Sequence, residues 1–187
     1  MCAGRIGQLF NASALGNEIG VSVHTIKNWL SILEASYIVF VLHPWHSNLN
    51  KRIVKTPKIF FYDVGLASYL LGIENETHMA THPLRGALFE NMVVIELLKR
   101  RYNNGLDSNF FFYRDNHGNE VDLVQEQGHY LKLFEIKSAM TFHPEFLKGL
   151  NYLRNLIPDR IQESSLVYSG EDDFTVQNHK VVNFNRI

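Results

Sequence analysis

The first 35 residues carry apolar side chains at helical spacing in two consecutive stretches. Asn11 or Ser13 can cap a short helix that ends at Gly20, and Ser22 can cap a second helix that ends at Glu34. The second helix has five apolar residues at helical spacing: Val23, Ile26, Trp29, Leu30 and Leu33. Two short helices joined by a tight turn are typical of a helix-turn-helix.

Two short runs of β-branched and aromatic residues follow, at 37–42 and 58–62, with a loop at 43–57 between them. Helices followed by a two-stranded wing predict a winged-helix-like module. Asp63 can cap a further short helix that ends near Gly72. The polar stretch 75–82 then predicts a boundary, so we place this module at residues 1–80.

Residues 81–187 have the pattern of a second, α/β domain with a mixed sheet flanked by helices. Pro83 suits the first turn of a long helix that reaches Arg101. The alternation of apolar and polar positions then predicts three strands at 109–114, 120–126 and 130–138. An amphipathic helix is predicted at 144–156, followed by a strand at 164–168 and one more strand near Val181.

The composition of the chain excludes several classes of protein. The chain has 187 residues, 45% hydrophobic and 20% charged, and its net charge of −1 excludes a globally basic nucleic-acid binder. A single cysteine, Cys2, excludes an internal disulfide and suits a reducing cytoplasm. The longest apolar run is too short for a membrane span. We therefore expect a cytoplasmic protein without membrane contact. The chain has no P-loop fingerprint, so ATP binding through a P-loop is not expected.

Four polar residues stand out against apolar surroundings. Glu90 lies on a helix with apolar residues three and four positions away, so its carboxylate needs a partner there. Asp122 shares a strand face with Glu120, and period two places Glu135 and Lys137 on one face of the next strand. Each has a plainer explanation: a buried Glu90 paired with an arginine or a backbone donor, a solvated strand face at Asp122, and an exposed Glu135–Lys137 ion pair.

In combination, an acid on a buried helix, an Asp on the second strand and Glu-x-Lys on the third resemble the PD-(D/E)XK, or restriction-endonuclease-like, fold. The resemblance covers about residues 83–169, with Val121 where that family usually has proline. It implies a site where Asp122, Glu135 and Glu90 hold Mg²⁺ or Mn²⁺. Carboxylate oxygens suit such hard cations. Lys137 is then expected to orient or deprotonate the attacking water.

A broader resemblance spans most of the chain. It is similar to the C-terminal region of prokaryotic AAA-type ATP-binding proteins, a domain of unassigned function, on the stretches 20–30, 55–66, 82–91, 119–124 and 135–138. This family implies a winged-helix segment followed by a nuclease-like domain, with an ATPase domain normally in the same polypeptide. The ATPase half is not part of this sequence, so we expect no ATPase activity from it.

Five residues are candidates for contacts with DNA. Lys27 and Asn28 lie on the polar side of the second helix, and Lys51, Arg52 and Lys55 form a basic loop where a wing would contact phosphates. A solvated loop and a structural or protein-binding helical module are the alternatives. Three functions stay open: a metal-dependent nuclease acting on DNA, a nuclease-fold module that binds DNA or a protein without turnover, and a winged-helix regulator.

Overall fold

The computed structural model describes residues 1–45 and 53–187, which form two compact units. The first unit comprises Met1–Leu42 and Thr56–Asn91, and the second comprises His43–Lys55 and Met92–Ile187. Within the described residues, no helix has both the length and the apolar character needed to cross a bilayer.

The first unit is mainly helical and contains one small sheet. Its elements are α1 (Ala12–Ile19), α2 (Val23–Ala35), β1 (Val39–Leu42), β2 (Lys58–Phe61), α3 (Val64–Leu70), α4 (Glu76–Thr81) and the start of α5 (Arg85–Asn103). The strands β1 and β2 are antiparallel, with Val39 opposite Phe61 and Leu42 opposite Lys58, and all eight of their residues are buried.

The predicted ends of α1 and α2 are confirmed by their capping contacts. The Asn11 side chain accepts a hydrogen bond of 2.9 Å from the Ala14 amide, and Gly20 ends the helix with a φ of 82°. The Ser22 hydroxyl accepts a bond of 3.1 Å from the Thr25 amide at the start of α2. Both amides would otherwise lack a partner in the first helical turn, which is why short polar residues are found there.

The apolar side of α2 is buried only in part. Of its five apolar residues only Ile26 is fully buried, whereas Val23 and Trp29 are 39% and 47% exposed. Ile26 packs into a cluster with Phe10 and Ile59, and Leu30 lies at its edge. The helix therefore uses a narrower side for packing than its apolar pattern suggests, and Trp29 lies outside it.

The connection between β1 and β2 was expected to be the loop of a wing. Its described residues up to Lys55 belong to the second unit, where the Trp45 amide donates to the Phe112 carbonyl (2.7 Å) and the Val54 amide donates to the Arg114 carbonyl (3.1 Å). Trp45 is buried in that unit's core, which fixes this end of the segment.

The second unit is built on a mixed six-stranded sheet. Its strands and last helix are β3 (Phe110–Arg114), β4 (Glu120–Gln127), β5 (Tyr130–Lys137), α6 (Lys148–Leu156), β6 (Ile161–Tyr168), β7 (Phe174–Val176) and β8 (His179–Asn183). The order across the sheet is β3-β4-β5-β6-β8-β7. The pairs β5-β6 and β6-β8 are parallel, and the other three are antiparallel. The predicted succession of long helix, three strands, helix and strand is confirmed.

Helix α6 covers the middle of this sheet with an apolar side. Leu150 and Leu153, together with Leu147 just before the helix, are fully buried against a core that includes Leu131 and Leu133 of β5. Burying each such side chain contributes roughly 1.5–3 kcal/mol. The C-terminal half of β5 continues along the same face, and there the residues become charged.

Candidate functional site

Asp122, Glu135 and Lys137 meet where β4 begins and β5 ends. The Lys137 ammonium lies 2.6 Å from Glu135 Oε1 and 3.4 Å from Asp122 Oδ2. Two carboxylates and one lysine therefore share a single cluster within the second unit. The structure of the second unit therefore brings these three residues together, as the sequence predicts.

The sheet itself holds Asp122 in place. The strands β4 and β5 pair from Gln127 opposite Tyr130 to Leu123 opposite Phe134. Beyond that point the Asp122 carboxylate accepts the Ile136 amide at 2.9 Å. The side chain thus takes a backbone donor of the neighbouring strand, so its position is tied to the main chain of β5.

Glu135 is buried in a way that a carboxylate does not tolerate easily. Its side chain is about nine-tenths buried, and its Oε2 atom has no hydrogen-bond partner among the described residues. Burial raises the pKa of Glu135 well above its ordinary value, the charge of Asp122 raises it further, and Lys137 offsets only part of this. A buried oxygen with no donor is the kind of group that a bound cation would satisfy.

A cleft of about 220 Å³ lies beside Glu135 and is lined by residues that include Asn119, Glu120, Glu145, Lys148 and Gly149. Gly149 is needed there because a Cβ atom at this position would overlap the Glu120 carbonyl oxygen and lie 3.3 Å from Glu135 Oε2. Only a residue without a side chain lets α6 approach β4 this closely.

The turn before β4 is braced by Asp115, which the sequence analysis did not single out. Its carboxylate accepts the backbone amides of His117 and Asn119 at 2.9 Å each, and the hydroxyl of Tyr152 on α6 at 2.8 Å. Burial acts to raise the pKa of Asp115, but the hydrogen bonds from Asn119 and Tyr152 outweigh it and lower the pKa. The turn that carries Asn119 and Glu120 to the cleft is therefore fastened to α6.

Glu90 lies in the first unit, where it has a local partner. The buried Lys58 ammonium is 3.1 Å from Glu90 Oε1. The next residue, Asn91, accepts the Phe61 amide at 2.6 Å and donates to the Phe61 carbonyl at 2.8 Å. These contacts tie the start of α5 to β2. They correspond to the ion-pair explanation of Glu90, with a lysine in place of the arginine considered from the sequence.

No group of three His, Cys, Asp or Glu side chains is placed to hold a metal ion in the part of the chain that the structure describes. Of the three predicted metal ligands, the second unit brings together Asp122 and Glu135. A role for Glu90 as a third metal ligand stays a prediction.

The residues predicted to contact DNA are distributed over two segments. Lys27 and Asn28 are exposed on α2, where the Asn28 amide lies 3.1 Å from His24 Nε2. Lys55 is exposed as well, while Lys51 and Arg52 lie outside the described residues. Their contact with DNA stays a prediction.

In the comparison with known proteins, both halves of the chain match models of domains of unknown function. Residues 1–77 match a domain of unknown function, DUF8612, and residues 85–187 match another, DUF4143. The uncharacterized proteins Mb2031c of Mycobacterium bovis and Rv2008c of Mycobacterium tuberculosis are each 30% identical over 168 residues, which is 90% of this chain and 36% of theirs. No solved structure matches the chain. Because the DUF4143 match covers more than half of the residues of the chain, the chain belongs to the DUF4143 family.

Proposed function

We propose that the second unit is a divalent-metal-dependent nuclease domain of the PD-(D/E)XK type that acts on DNA. In this proposal the first unit is a winged-helix-like module, and both form the C-terminal part of an AAA-type ATP-binding protein. The observation that supports it most is the buried Glu135 Oε2 atom, which has no donor in the described residues while Asp122 and Lys137 lie beside it.

The residues present fit a hard divalent cation. Mg²⁺ and Mn²⁺ prefer carboxylate oxygens, often one or two from the protein with water and substrate phosphate completing the shell. Asp122 and Glu135 would supply those oxygens, and a cation there would offset the repulsion between the two carboxylates that raises the pKa of Glu135. When bound, it would supply charge stabilisation for phosphodiester hydrolysis and a more acidic water.

The side chains of the protein itself have the remaining roles in this proposal. Asp122 is held by the Ile136 amide, so it offers its other oxygen in a fixed orientation. The Lys137 ammonium is close to both acids and only about one-third exposed, so it can donate a hydrogen bond to the attacking water or to the phosphate from the same place. The burial of both acids keeps water away from the charges and strengthens these interactions.

A second candidate is a nuclease-fold module that binds DNA or a protein without turnover. The ion pair between Glu90 and Lys58 favours it, because it engages the residue that the resemblance to the PD-(D/E)XK fold makes the third acid. A winged-helix regulator has less support, since Lys27 is the single cation on α2.

Cleavage assays distinguish these functions. Purified chain is incubated with supercoiled plasmid and with linear DNA in Mg²⁺, in Mn²⁺ and in EDTA. We expect metal-dependent cleavage that falls about 100-fold or more in Asp122→Asn, in line with the loss of a group that stabilises the transition state. Glu145→Gln, an exposed residue of the same cleft, is the matched control and should retain most activity. Equal cleavage by the wild type and Asp122→Asn would refute the proposal.

A further inference from the structure

We propose that Lys148 binds a backbone phosphate of DNA at the cleft beside Glu135. The inference rests on the proposed function, because it assigns the substrate contact of that same cleft. It adds a residue that the sequence resemblance to the PD-(D/E)XK fold does not supply, since Lys148 lies on α6, outside the strands that carry Asp122, Glu135 and Lys137.

The fold fixes where Lys148 stands. It is the first residue of α6 and lines the cleft together with Glu135. The residues on either side lock this turn: Leu147 is fully buried in the core, and Gly149 packs so closely on the Glu120 carbonyl that no side chain fits between them. The backbone of Lys148 therefore has little freedom to move away from the cleft, although its side chain is exposed.

The acids that line the cleft make a nearby positive charge necessary if a phosphate is to bind there. Three carboxylates line it, those of Glu120, Glu135 and Glu145, and a DNA phosphate would be repelled by them. Two of the three acids already have cationic partners, because Arg114 lies 3.2 Å from Glu120 and Lys137 lies 2.6 Å from Glu135. A phosphate therefore needs a positive charge that does not already form an ion pair with an acid.

Lys148 has such a charge. Across residues 1–45 and 53–187 no acid forms an ion pair with it. An exposed ammonium is a compact point charge that commonly binds phosphate oxygens. Glu135, whose buried Oε2 atom has no donor among the described residues, lines the same cleft. A cation site and a phosphate-binding lysine therefore share one cavity, as phosphodiester hydrolysis requires.

Binding and cleavage are measured separately to test this. Affinity for a short fluorescent duplex is titrated in Ca²⁺ at several NaCl concentrations, for the wild type, Lys148→Gln and Lys148→Arg. Loss of one phosphate contact should flatten the plot of log affinity against log salt by about 0.9 and weaken binding about three- to tenfold at low salt. Lys148→Arg should restore both. Lys180→Gln, which removes an exposed lysine bound to Glu163 on another strand, should match the wild type.

The cleavage arm separates this inference from the proposed function. With Mg²⁺, Lys148→Gln should raise KM about three- to tenfold and leave kcat within about twofold, as expected for a contact made equally before and in the transition state. If Lys148→Gln and the wild type have the same salt dependence and affinity, Lys148 is not a phosphate contact, whether or not the protein cleaves. If the salt dependence changes but Asp122→Asn cleaves like the wild type, the nuclease assignment is wrong and the DNA contact stands.

Discussion

Replacing Glu135 by glutamine tests the metal site without knowledge of the substrate. The substitution keeps the shape of the side chain and removes a charge from a place where Oε2 has no donor among the described residues. We expect Glu135→Gln to be more stable than the wild type in EDTA at neutral and alkaline pH. The same variant should lose its response to divalent cations.

The size of the first effect follows from linkage between protonation and folding. The pKa of Glu135 is raised in the folded protein, mainly by burial and secondly by Asp122, from an ordinary value of 4.5. Between those two pKa values the folded state binds more protons than the unfolded state, so the free energy of unfolding falls as pH rises. The loss is about 1.4 kcal/mol for each pH unit in that window, and it is complete above the folded pKa. Glutamine does not titrate, so the variant avoids this loss.

The second effect concerns the cation. A ligand that binds only the folded state at 100 times its Kd stabilises it by about 2.7 kcal/mol. Mg²⁺ or Mn²⁺ should therefore stabilise the wild type by an amount of this order and leave Glu135→Gln nearly unchanged. Glu145→Gln alters an exposed acid of the same cleft and should respond to the metal like the wild type.

Urea denaturation from pH 5 to 9 measures both effects. The two tryptophans are Trp29, exposed on α2, and Trp45, buried in the core of the second unit. In a Trp29→Phe background the fluorescence therefore reports on the unit that contains Glu135. A difference between Glu135→Gln and the wild type of less than about 0.5 kcal/mol throughout would refute the argument from burial. Equal stabilisation of both proteins by the metal would refute Glu135 as a ligand.

Three further substitutions test the framework around the site. Asn91→Ala should lower the free energy of unfolding by about 2–5 kcal/mol, because it leaves the buried amide and carbonyl of Phe61 without partners; urea denaturation followed by circular dichroism measures this. Burial, assisted by the charge of Arg154, lowers the pKa of His179 below 6.5, so the unfolded state binds more protons and stability should fall as pH drops through about 6.5. His179→Gln should abolish that part of the pH dependence in the same denaturation series. Gly149→Ala should lower stability by about 1–3 kcal/mol through overlap with the Glu120 carbonyl, as measured by thermal denaturation, whereas Gly4→Ala, with open space around it, should not.

The parts of the fold that could be predicted are those determined by neighbours in sequence. The Asn11 and Ser22 caps depend on side chains that bond amides three residues ahead, so the sequence alone indicates them. The strands β4 and β5 are joined by a tight turn at Gly128, whose φ is 62°. Their antiparallel pairing follows from this turn, and it brings Asp122 beside Glu135 and Lys137.

The parts that could not be predicted depend on distant partners or on weak patterns. A helical wheel shows that Glu90 needs a partner, but Lys58 is 32 residues away and nothing local selects it. Where helix α4 forms, the sequence predicts only a polar boundary. The helix has six residues, none of them buried, and its clearest local signal is the Asn75 cap. Trp29 has the spacing of a core residue, yet the packed side of α2 is narrower than the apolar pattern.

Two lysine–carboxylate pairs of this protein, Lys58–Glu90 and Lys137–Glu135, differ in which partner is more buried, and the difference bears on function. In the pair of Lys58 and Glu90 the lysine side chain is the more buried, at 4% exposed against 15% for the acid. In the pair of Lys137 and Glu135 the acid is buried at 11% exposed, and the lysine is accessible at 33%. Removing the more accessible partner of either pair leaves a charge in a poorly solvated place, which is unfavourable.

A buried lysine paired with a mostly buried acid is suited to joining β2 to α5. A buried acid beside a second acid, with its lysine on the open side, leaves an excess of negative charge inside the fold and a positive group where a phosphate would arrive. Stability does not require that arrangement, because glutamine at position 135 would lower the charge and keep the shape. The imbalance around Glu135, more than the presence of the residues that a nuclease motif requires, is therefore the reason why we propose a cation site at the cluster of Asp122, Glu135 and Lys137.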